Sequence, residues 1–191
     1  MQRIHIYIIL LLILSGCNNA TETKDTTTKK QEIKSSLSPK SMLDEEGTKK
    51  LVTVLTDYYS VKEGFMSTNS ANIAKGSAVL MTTADSMRSY TKRTANAGML
   101  TPYLDTLVIE SGKMATAKTT KEQEIPFAKA SDVLFAMLKK ADLKNTVVYQ
   151  QHCPMAFDDK GGNWLSNEEE IKNPYFPKKM PDCGDVADSL K

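Results

Sequence analysis

The chain has a single tryptophan, and aromatic residues make up only 7% of it, so an extended stacking platform for nucleobases is not expected. It has little excess charge. Its 25 Lys and Arg stand against 23 Asp and Glu, leaving +2, without the clustered basic face that nucleic acid binding requires. No apolar run of about 18 residues follows the N-terminus, which excludes a further helical membrane span. No repeat of about 20–50 residues is visible, which excludes solenoids and propellers. Histidine occurs only at positions 5 and 152, and the His-Glu-x-x-His, Walker-type and Gly-x-Gly-x-x-Gly motifs are all missing. A His-dependent triad would have to use His152, whose neighbour Cys153 projects away from it. The chain is therefore expected not to be an enzyme and not to bind nucleic acid.

What is present begins with an address. Arg3 precedes Ile4 to Ile13, an apolar run broken only by His5. At roughly 10 residues it suits the core of a signal peptide and is too short to span a bilayer. It ends in Leu14-Ser15-Gly16-Cys17, which resembles a bacterial lipobox. Residues 1–16 are expected to be a lipoprotein signal peptide, with Cys17 lipidated and the membrane reached through that lipid. Residue 18 is Asn rather than an inner-membrane-retaining Asp, and no acidic export cluster follows at once. This favours the outer membrane, facing the periplasm. Residues 17–43 read as a flexible tether: nine of the 26 residues from Asn18 to Leu43 are Ser or Thr, and no apolar period is visible.

Residues 44–145 carry helical periodicity. Leu51, Val54, Leu55, Tyr58 and Phe65 mark a first helix starting near Asp44. A second follows Asn69 or Ser70, either a good N-cap, with Ile73, Leu80, Ala84 and Met87 on one face. Thr101-Pro102 reads as a cap and first position of a third helix. A fourth is expected from Ile125-Pro126, with Phe127, Ser131, Leu134, Met137 and Leu138 in its stripe. The expected fold is mainly α: an antiparallel four-helix bundle with a short C-terminal strand and a loop-rich extension. Met66, Met81, Met87, Met99, Met114 and Met137 are expected to fill gaps in the helical core. Ser131 is expected to pack or to bond back to its own helix.

After Asn145 the pattern changes. Thr146 to Gln150 is β-branched and aromatic and reads as a strand. Residues 146–191 then form an extension broken by Pro and Gly, which Trp164, Tyr175 and Phe176 are suited to pack down. Glu168-Glu169-Glu170 is expected to open a short helix, and Asp158-Asp159 a solvated turn. In an extended chain Cys153 and Met155 face one side and His152 the other. Met180 and Cys183 are three apart around Pro181, where a turn is able to bring both sulfurs together. Thiolate and thioether are soft donors that suit Cu(I) best, and three Cys and His are too few for an ordinary structural zinc site. The candidate ligands are Cys153, Met155, Met180 and Cys183, with His152 a fifth. Two cysteines in an oxidising compartment equally suit a disulfide, Cys153–Cys183, which would leave no thiolate to donate. Metal site, disulfide and free thiols all stay open on these grounds.

The order His-Cys-Pro-Met-Ala, Asn-Trp-Leu-Ser, Ile-Lys-Asn-Pro-Tyr and Met-x-x-Cys-Gly resembles a bacterial domain of unknown function. That family occurs in short periplasmic lipoproteins and fused to HlyD-like adaptors of copper and silver efflux systems. The resemblance spans about residues 48–187 and is specific in the last forty. Two positions depart from it: Pro177 stands where glycine is usual, and Pro181-Asp182 precede Cys183 where an apolar residue is commoner. The resemblance implies Cys153, Met155, Met180 and Cys183 as soft-metal ligands, a heavy-metal efflux adaptor as partner, and a role in metal tolerance. The alternative expectation is a non-metal interaction module held by the disulfide.

Overall fold

The computed structural model describes residues 38–191, so the expected signal peptide, Cys17 and most of the expected tether lie outside the described residues. The last part of the expected tether is fixed in place. Lys40 pairs with Lys144, and the Met42 amide donates to the Ala141 carbonyl at 2.9 Å. Leu43 supplies the reason, since it packs against the core.

Asp44 stops this segment and caps α1 (Glu45–Met66), accepting from the Gly47 amide at 2.8 Å, with Glu45 and Glu46 at the positive helix end. Asn69 caps α2 (Ser70–Thr91) in the same way. The expected apolar stripes of both helices are buried, from Leu51 to Phe65 and from Ile73 to Met87. The helix α3 (Thr101–Thr116) departs from expectation at its start. A 3-10 turn, Gly98–Leu100, runs straight into it, so Thr101 is already helical and makes no cap. Its hydroxyl meets Thr91 instead, at 3.1 Å. The helix α4 (Thr120–Lys140) begins five residues before Ile125. Thr119 and Glu122 form a capping box, and Pro126 lies inside the helix. That pattern, Thr-x-x-Glu, was available in the sequence and outweighs the proline.

Each helix packs chiefly on its neighbour in sequence, and α4 also covers β2 of the sheet described next. Met87, Met114 and Met137 are fully buried as core thioethers, whereas Met99 is exposed. Three strands follow: β1 (Val148–Cys153), β2 (Gly162–Ser166) and β3 (Asp185–Leu190), antiparallel in the order β2-β1-β3. The fold is thus mainly helical with a small C-terminal sheet. The expected single strand starts two residues later and runs on through His152 and Cys153. Glu168 to Glu170 form no helix. The Gln151 amide, on β1, shares its two hydrogens among their three carbonyls at 3.0–3.1 Å, which holds that stretch in an irregular path. Trp164 and Tyr175 are buried as expected, with rings 6.0 Å apart, and Phe176 packs beside them.

One hydrogen-bonded chain fastens the sheet to the helices. The Leu165 amide donates to the Tyr58 hydroxyl at 2.9 Å. Tyr58 lies 2.7 Å from the Ser131 hydroxyl, which itself donates to the Phe127 carbonyl at 2.8 Å. With one proton per hydroxyl, only one direction serves all members: Leu165 to Tyr58 to Ser131 to Phe127. Burial holds the Tyr58 phenol well above its ordinary range, so it stays a neutral donor. Ser131 bonds back to its own helix as expected, and it also carries the link to α1.

Candidate metal centre

Cys153 ends β1 because Pro154 follows, with no amide proton for the ladder. Its partner across the sheet is Gly162. A side chain at Gly162 would lie 2.7 Å from the Phe157 ring and 2.9 Å from Tyr175, so glycine leaves room for the aromatic cover of the thiol's face. Cys153 itself is fully buried.

Cys183 arrives from the other direction. The segment Met180-Pro181-Asp182-Cys183 closes a turn, with the Cys183 amide donating to the Met180 carbonyl at 3.2 Å. Asn173 clamps that turn and is completely buried. Its side-chain amide donates to the Cys183 carbonyl at 2.9 Å, and its own backbone amide donates to the Pro181 carbonyl at 2.8 Å. Its side-chain oxygen accepts from Tyr175 at 2.9 Å and Phe176 at 3.3 Å. Gly184 then seats the chain against β1. It has a φ of +140°, and a Cβ there would lie 2.5 Å from the His152 carbonyl oxygen.

These devices bring the two sulfurs to 3.6 Å. They touch, but stand well beyond the ~2.05 Å of a disulfide bond. Cys183 is half-buried, so the pair can be reached from its side. The hydrogen bond with Cys153, then desolvation, then repulsion from a charged Cys153 all push the Cys183 thiol upward. The Cys183 thiol therefore holds its proton until something supplies positive charge.

The other expected ligands part company. Met180 shares the Cys183 turn and is half-buried. Met155 does not continue the strand: Pro154 and Met155 form a turn, and its side chain is 47% exposed. The two-residue alignment with Cys153 fails because the extended backbone stops at Cys153. His152 lies on the opposite face of β1, where its Nδ1 meets the Asn163 oxygen at 2.7 Å. Among the described residues, no three His, Cys, Asp or Glu side chains converge. The expected five-ligand set thus reduces to two thiols with Met180 nearby. Sequence reasoning missed Asn173, which the tripeptide Asn-Pro-Tyr signals as a turn capped by its own first residue. Comparison with protein-family models, with curated proteins and with solved structures finds no match to this chain.

Proposed function

We propose that this protein is a lipid-anchored periplasmic binding protein for a soft metal ion, Cu(I) first, serving metal efflux or tolerance beside a heavy-metal efflux adaptor. The observation that carries the reading is the contact of Cys153 and Cys183 at 3.6 Å, with one sulfur buried and the other reachable. A thiolate pair is the preferred donor set for a soft monovalent ion, and Cu(I) accepts so few ligands. Met180 is the supporting thioether. In this reading the four helices form an antiparallel bundle that serves as scaffold, a view supported by their neighbour-on-neighbour packing. Cys17 and its lipid hold the molecule at the outer membrane.

Competition with a Cu(I)-chelating dye under reducing conditions tests it. Cys153→Ser and Cys183→Ser are each expected to weaken binding beyond the roughly 10–100-fold typical of losing a supporting partner. Met180→Leu should weaken it less. Met155→Leu and the core variant Met87→Leu should bind as the wild type does. Equal affinity in the wild type and the double cysteine variant ends the proposal.

The same contact favours a second reading, an interaction module with a structural Cys153–Cys183 disulfide that docks on an envelope partner. The sulfurs are already neighbours, and Cys153 lies fully buried in the apolar core. Thiol counting on unreduced protein separates the two: two thiols support the metal reading, and none supports the disulfide.

A further inference from the structure

His152, set apart from the thiols, faces a cavity of its own of about 550 Å³. Its ring is oriented by a relay. Asp132 on α4 accepts from the Asn163 side-chain amide at 2.7 Å, and this forces the Asn163 oxygen toward His152 Nδ1, also 2.7 Å away. A carboxylate faces only the NH2 end of the amide, so Nδ1 carries the ring proton and Nε2 presents a lone pair. No protein group partners Nε2 among the described hydrogen bonds, and it is not among the buried unpaired atoms. It opens to the cavity.

The wall beside it is unusual. Phe157, Asp158 and Asp159 all lie in the left-handed region, with φ of 57°, 57° and 63°. Aspartate tolerates this conformation and phenylalanine does not, so the surrounding structure holds the turn in place. Gly161 follows with φ of +81°, and a Cβ there would stand 2.5 Å from the imidazole. Lys129 and Lys160 line the cavity and enter no ion pair among the described residues, whereas Lys121 at the rim pairs with Glu124 at 2.9 Å. Asp158 is the free carboxylate facing the same space, since Asp132 is occupied by Asn163 and Gln150. Ile125 and Phe157 supply the apolar walls.

We infer that this cavity is a binding site for a small oxyanion that keeps a proton, with monohydrogen phosphate the best match. The two ammonium groups neutralise the charge. An acceptor on the wall, Nε2 or Asp158, takes the single proton of that anion and so selects an anion that also donates. A fully deprotonated anion of the same size has no proton for either acceptor and so lacks that one hydrogen bond.

The test uses the full chain in detergent at a fixed pH near 8, with inorganic phosphate, sulfate and methyl phosphate as probes. Sulfate and methyl phosphate match phosphate in charge but carry no proton there, the second pKa of a phosphoester being about 6. The nitrogen NMR signals of His152 are assigned by their loss in His152→Gln. The unliganded ring is expected to show Nδ1 protonated and Nε2 bare, with mixed tautomers in Asn163→Ala. Phosphate should shift Nε2 saturably, and both proton-free anions should bind at least about tenfold more weakly, the worth of one hydrogen bond to a charged group. Lys129→Gln and Lys160→Gln should each weaken phosphate several-fold. Indistinguishable responses to phosphate and sulfate, or no response to phosphate in the wild type, would overturn the inference. Calorimetric phosphate binding unchanged in a folded His152→Gln would do the same.

Discussion

The Tyr58 hydroxyl sits 2.9 Å from the Leu165 amide, joining the first helix to the second strand across 107 residues of sequence. Tyr58→Phe leaves that buried amide without an acceptor and Ser131 without its donor. The expected loss is about 1–3 kcal/mol, read as a Tm lowered by several degrees. Ser131→Ala in the same background should add little, because both changes break one chain. Additive losses in the double variant would show that the two hydroxyls act independently.

Asn173 is expected to govern the position of Cys183 more than its distance in sequence implies. Asn173→Ala strips partners from three backbone groups, one buried and two part-buried, a loss of about 2–4 kcal/mol at roughly 1–3 for a buried group. Asn173→Asp keeps the acceptor for Tyr175 and Phe176 but sets an oxygen against the Cys183 carbonyl. The reactivity of Cys183 toward a thiol reagent should rise in Asn173→Asp while the helical circular dichroism stays intact. Unchanged reactivity would place control of the turn elsewhere.

Cys183 also fixes a pH dependence. Its folded pKa is raised, first by the hydrogen bond with Cys153. A raised value means that the folded state holds its proton longer. This stabilisation is complete below the ordinary thiol range near ~8.5 and is lost as pH rises through the higher folded value. Reduced protein should therefore lose stability on the alkaline side, and Cys183→Ala should flatten that limb. Alkylation of Cys183 should reach half its limiting rate at a higher pH than a free cysteine does.

The acid limb has another origin. Asp44 is held below its ordinary range by the Gly47 amide and then by the Tyr90 hydroxyl, and Glu122 by the Lys118 and Thr119 amides. Depressed folded values stabilise above the ordinary carboxylate range and fail as pH falls through it, from about 4 downward. Asp44→Asn keeps a capping oxygen without its charge, so thermal melts should show a shallower loss between pH 5 and 3 than in the wild type. An unchanged slope would remove Asp44 from the acid limb.

Much of the helical half is legible from residue order. Asp44 and Asn69 cap where a short polar acceptor precedes an apolar period, and Leu51 to Phe65 bury where that period places them. These are local effects, set within one or two turns. The start of α4 was legible too, in Thr119 and Glu122, but Pro126 is the louder signal and points to the wrong residue. Trp164 and Tyr175 announce themselves by size and apolarity alone.

The sequence by itself determined the helix stripes, the caps and the presence of two late cysteines. Only tertiary structure decided which soft donors meet. Cys153 and Cys183 touch because β3 returns to the free edge of β1 and Asn173 folds the intervening loop onto the sheet, contacts made across thirty residues. Met155 and His152 are closer to Cys153 in sequence, yet a turn removes the first and strand alternation turns the second to the opposite face. Spacing along a chain fixes direction only while the backbone stays regular, and here the strand ends at the residue that matters.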